Sequence, residues 1–142
     1  MQEAQKCLAH QTPARLWRSG GDIGLENARE LLSKSPVEDD TYTDMKYVQE
    51  ACGTAYLAVL KAIDAYLLKR GVAEKDLPQS VESYGDAIRK YLAPYNGKLT
   101  REFEKLYKAL HIAGYYRGLL DDVNMVKDAL KITKGLIEKV NP

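Results

Sequence analysis

The 142-residue chain has one tryptophan, one phenylalanine, two cysteines and two histidines, and each scarcity closes off a class of function. Cys7 stands in a polar N-terminal stretch and Cys52 within an apolar run, so the pair does not make a disulfide framework. His10 lies near Cys7, but two ligands fall short of the four that a zinc site takes, and the flanking residues supply no others. No metal and no cofactor is expected. The longest unbroken apolar run, Ala55 to Leu60, is far below the roughly 20 residues of a membrane span. The N-terminus lacks the apolar core of a signal peptide, and a cytoplasmic protein without membrane contact is the expectation. Charge of one sign is missing as well: 21 basic and 20 acidic residues give a formal net charge of +1, with no global pull toward nucleic acid. Any polyanion site has to be local.

Against these absences stands a long apolar helix pattern. Met45 to Arg70, MKYVQEACGTAYLAVLKAIDAYLLKR, contains no proline and one glycine and would make about seven helical turns. Met45, Val48, Cys52, Ala55, Val59, Ala62, Ile63, Tyr66 and Leu67 recur at three- and four-residue steps and line one side. Ala51, Leu57, Ala58, Leu60, Ala65 and Leu68 widen that side past half of the helix, which predicts cover from several directions. The alanines and Gly53 leave room for neighbouring helices to come close. Ten tyrosines against one phenylalanine point to rings that are buried while their hydroxyls stay wet. The expectation is an all-α fold, a bundle around this one central helix.

Residues 1–21 do not share the pattern. Pro13 and Gly20-Gly21 interrupt it and Trp17 lacks apolar partners at helical spacing, so the stretch reads as a tail, disordered or non-native, outside a single domain over residues 22–142. From Asp22, a candidate N-cap, Leu25, Ala28, Leu31 and Leu32 form a short amphipathic helix closed by Ser35-Pro36. Glu38, Asp39, Asp40 and Asp44 make an acidic loop. It lacks the alternating ligands and the glycine of a calcium loop, and negative charge before a helix N-terminus is favourable in itself. Thr41 and Asp44 have capping-box spacing, and Gly71 after Lys69-Arg70 suits a left-handed C-cap. A third helix is predicted over Ser80 to Ala93, closed by Pro94 and Asn96-Gly97, and a fourth over Leu99 to Ala113. His111 to Gly118, HIAGYYRG, breaks the pattern with two glycines around a tyrosine pair and is the most site-like stretch. Asp121 and Asp122 open a last helix with Leu119, Val123, Val126, Leu130, Ile137 and Val140 inward.

In their order, LENARELL (Leu25 to Leu32), YVQEACGTAYLAVLKAIDAYLLKRG (Tyr47 to Gly71), LHIAGYYRG (Leu110 to Gly118) and VNMVKDALKITKGLIEKV (Val123 to Val140) resemble the HEPN superfamily of prokaryotic helical bundles, especially a small uncharacterised bacterial branch. The second segment carries most of the resemblance. A buried helix with small residues through its middle and a basic residue followed by glycine at its end is similar to the second helix of HEPN domains. The resemblance covers Asp22 to Val140 and implies a five-helix up-and-down bundle. Many HEPN proteins are ribonucleases, often toxins paired with a nucleotidyltransferase-like antitoxin, and act as dimers that bring two R-x4-6-H motifs together. There the arginine holds phosphate and the histidine moves a proton. This chain departs from the motif: Arg117 is followed at the required spacings by Asp122, Val123 and Asn124, Arg101 lies too far before His111, and His111 precedes Arg117.

Two functions stay open. The resemblance without its catalytic pair implies a non-catalytic interaction protein with no catalytic residue, a homodimer through the later helices with a protein partner. The alternative is an RNA-binding or divergent RNA-cleaving domain of toxin-antitoxin type. Lys98, Arg101, Lys105 and Lys108 form one stripe on the outer face of the fourth helix, so the candidate surface site comprises Lys98, Arg101, Lys105, His111, Tyr115, Tyr116 and Arg117. Glu102 and Glu104 are close enough in sequence to pair with Lys105 and Lys108, which favours a plain solvated face. A lone histidine near a helix end favours a structural role.

Overall fold

A computed structural model describes residues 20–92 and 97–141 of the chain. Their fold is predominantly all-α: α1 (Gly20–Leu32), a hairpin of β1 (Val37–Glu38) and β2 (Thr41–Tyr42), α2 (Met45–Lys69), α3 (Val81–Tyr91), α4 (Lys98–Leu106) and α5 (Val123–Val140). A π-helix, Tyr107–Tyr116, continues α4 without interruption. The expected tail residues Cys7, His10, Pro13 and Trp17, and the stop at Pro94 and Asn96, lie outside the described residues.

The axis of the fold is α2, whose Val48, Ala55, Val59, Ala62 and Ile63 are sealed from solvent. By length and composition α2 also passes as a membrane-crossing helix, and half of its most apolar window is buried in this fold. Antiparallel α1 lies on it through small residues. A Cβ added to Gly24 would stand 2.9 Å from the Ala58 Cβ, and one on Gly21 would stand 3.0 Å from the Ala58 carbonyl oxygen. Gly20-Gly21, expected to interrupt the pattern, instead form the first turn of α1, because a turn without side chains can seat on Ala58 and Ala62.

The acidic loop is a hairpin turn. Asp39 and Asp40 adopt φ of 49° and 59° beyond the pair Glu38↔Thr41. This left-handed two-residue turn matches the twist of the strands, and aspartate tolerates it better than most residues. The hairpin also fixes the start of α5, since the Tyr42 N–H donates to the Asp121 carbonyl at 2.8 Å and the Val123 N–H to that of Asp40 at 2.9 Å. With Thr41 held in the strand, capping of α2 falls to Asp44, which accepts from the Lys46 N–H at 3.2 Å. Ser80 and Asp122 cap α3 and α5 in the same way. Gly71, at φ +91°, terminates α2 as expected.

The largest difference from the sequence reading is at His111 to Gly118. The chain stays helical through Gly114 and turns only at Gly118, where φ is +61°. Gly114 faces Cys52, and a Cβ there would lie 2.5 Å from the Cys52 Sγ, so the missing side chain serves helix packing rather than a bend. Past the turn Leu119 is 63% exposed instead of facing inward.

Ala58→Leu is expected to destabilise the fold by about 1 to 3 kcal/mol, because the added bulk has to displace α1 at Gly24. Thermal unfolding followed by circular dichroism checks this, and an unchanged Tm contradicts the packing described.

Candidate functional site

The π-helix turns its aromatic residues into a column. With about 4.4 residues per π turn, side chains four apart nearly superpose. Tyr107 and His111 have ring centroids 5.5 Å apart, and His111 and Tyr115 5.8 Å apart with planes within 13° of parallel. From α2, Tyr56 stacks on His111 at 5.0 Å and meets Phe103 of α4 at 6.4 Å. These separations suit attractive ring packing. The lower end of the column rests on α2: a Cβ on Gly53 would lie 2.7 Å from the Tyr115 ring, and the Gln49 side-chain amide donates to the Tyr115 carbonyl at 3.2 Å.

Beside this column runs an apolar groove of about 640 Å³. Its floor is the solvent side of α2, formed by Gly53, Thr54, Leu57 and Leu60; Leu31 of α1 walls one side and His111 with Tyr115 the other, with Glu50 at one end. Leu57 is 56% exposed. The sequence reading placed Leu57 and Leu68 under cover, and the structure leaves both in solvent. A signal was present: Glu50, Leu57, Lys61 and Leu68 recur at seven, four and seven residues, and a stripe that mixes charges with leucines is not core.

Behind the groove and between α2 and α3, burial shifts four titratable groups. Burial pushes the Cys52 thiol up to about 12, and burial followed by the neighbouring Tyr107 pushes Tyr56 up to about 12. Asp64 is raised by burial, against the lowering effect of the 3.0 Å hydrogen bond it accepts from Tyr84. Burial, then that bond, raises Tyr84. Each group is driven toward its neutral form, so Cys52 is a protonated, inert thiol and not a nucleophile. Among the described residues no three His, Cys, Asp or Glu side chains are grouped to hold a metal ion.

The seven candidate residues do not form one surface. His111 and Tyr115 come together in the column. Tyr115 and Tyr116 border a second depression with Lys46, Gln49 and Glu50 of α2. Arg101 and Lys105 line a separate one with Lys108, Ala109 and Glu104. Lys98 begins α4, and Arg117 caps the π-helix, its N–H donating to the Ile112 carbonyl at 2.9 Å. Glu102, expected near the lysine stripe, pairs with Lys139 of α5 at 3.1 Å.

The family described as a domain of unknown function, DUF5618, matches residues 22–142. The chain is also similar to a solved structure of a protein of unknown function from Dyadobacter fermentans, at 30% identity and a TM-score of 0.69, over 84% of this chain and 88% of that one. No curated protein matches it.

Gly114→Ala is expected to cost about 1 to 3 kcal/mol by forcing the π-helix off Cys52. Adding Cys52→Ala removes the obstructing sulfur, so the double variant should lose less than the sum of the singles, by on the order of 1 kcal/mol in urea unfolding. Stability is also expected to fall at alkaline pH. The unfolded chain releases the Cys52 proton near its ordinary value of 9.0 and the folded chain only near about 12, so this contribution is complete below pH 9 and is lost as pH rises toward 12. Tyr56, raised from 10.0 to about 12, acts in the same direction from pH 10. Tm measured against pH checks this, and Cys52→Ala should move the onset up to the tyrosine range.

Proposed function

The chain belongs to the DUF5618 family, and on that footing we propose that it is a non-catalytic helical interaction protein, a HEPN-like bundle that works as a homodimer. The observation that carries this reading is the open apolar groove along α2, which the helices among the described residues leave uncovered with Leu57 in its floor. A leucine- and tyrosine-lined groove of about 640 Å³ suits an apolar partner. The HEPN-like reading draws support from the order of the helices around one buried helix that ends in Arg70-Gly71.

Catalysis by the RNA-cleaving alternative needs a free imidazole beside a phosphate-binding arginine. Here the ring of His111 is stacked against Tyr56, Tyr107 and Tyr115. Arg117 stands beyond the last residue of the π-helix, as its cap, and does not line the groove that His111 borders. Arg101 and Lys105 of α4 border a depression that neither His111 nor Arg117 lines.

Light scattering of the purified chain at high micromolar concentration is expected to give the mass of a dimer; a monomer there overturns the homodimer. Incubated with a mixed-sequence RNA, with and without chelator, wild type and His111→Ala should both leave the RNA intact. Cleavage by the wild type that the variant loses would establish the RNA-cleaving reading instead.

A further inference from the structure

The geometry points to α2 of a second copy of this chain as the occupant of the groove, laid antiparallel about a two-fold axis between Thr54 and Leu57. This inference rests on the homodimer reading and places the contact on α2 rather than on the later helices. Glu50, Leu57, Lys61 and Leu68 are all exposed. At about 100° per residue they fall within roughly 20° of one line along α2.

The charges on that line are complementary to themselves. Neither Glu50 nor Lys61 has an ion pair among the described residues. When two copies of α2 run antiparallel with the axis between positions 55 and 56, position 50 meets position 61 and position 54 meets position 57. Glu50 then faces the partner's Lys61, and Lys61 faces the partner's Glu50, at two points about 16 Å apart along the helix. A parallel pairing in register would set Glu50 on Glu50 and Lys61 on Lys61, so like charges exclude it.

Shape agrees with charge. The floor at Gly53 and Thr54 is low, and an exposed Leu57 of one copy would drop onto the partner's Thr54, between the walls made by Leu31 and Tyr115. Each Leu57 thus fills a hole of the other copy, the isologous arrangement a two-fold contact requires. A small molecule seated in the groove would make no use of Lys61, which stands outside its lining.

The test is sedimentation equilibrium of the full chain at low salt, for wild type, Glu50→Lys, Lys61→Glu, the double charge reversal and Leu57→Asp. All three positions are exposed, and circular dichroism should show each variant folded. Each single reversal is expected to weaken the dimer about tenfold, the double reversal to restore it, and Leu57→Asp to give monomers. A dimeric wild type that none of these variants weakens overturns the α2 interface and leaves the homodimer standing. Single reversals that weaken the dimer without rescue by the double overturn the antiparallel register. A monomeric wild type overturns both this inference and the homodimer.

Discussion

The fold depends on how closely neighbouring backbones approach α2. On one side the glycines of α1 rest on Ala58 and Ala62; on the other, Gly114 rests on Cys52 and the Tyr115 ring covers Gly53. In each contact one partner has little or no side chain, and the separations leave no space for a further methyl group. Dispersion weakens steeply with distance, so these near contacts hold α1 and the π-helix at fixed places along α2.

The groove is what that packing leaves over. Since α1 and the π-helix are both drawn tight to α2, the strip between them stays open, and it is the strip that carries Leu57, Leu60 and Glu50. The π-helix gives the strip its aromatic wall. π geometry, with its i to i+5 hydrogen bonds, is rare and is mostly confined to single turns inside α-helices. Here it aligns Tyr107, His111 and Tyr115 into a stack that Tyr56 joins from α2, and it brings Gly114 onto Cys52. The histidine that a ribonuclease would need free is thereby part of the packing.

Much of the architecture was legible beforehand. The period of apolar residues marks α2 as the axis, Gly71 as its end, and Val123, Val126, Leu130, Ile137 and Val140 as the buried face of α5. Glycine was the least legible residue. Gly20, Gly21 and Gly114 look like breaks in a one-dimensional pattern and are contact points in three dimensions, because the same missing side chain permits either a bend or a close approach. The acidic cluster was read as favourable charge before a helix, a place only Asp44 takes as the cap of α2, while the left-handed hairpin turn of Asp39 and Asp40 depends on pairing between β1 and β2 and with the start of α5.

By itself the sequence determined the helical class, the axis and the glycine that ends α2, since these rest on periodicity and on backbone conformation set within a few residues, whereas the caps it offered at Asp22 and Thr41 gave way to a start at Gly20 and to Asp44. Only the tertiary structure decided which apolar residues of α2 remain in solvent and that His111 is held in a stack apart from the basic stripe. Those outcomes depend on what lies opposite each side chain, and residues far apart in the chain set that.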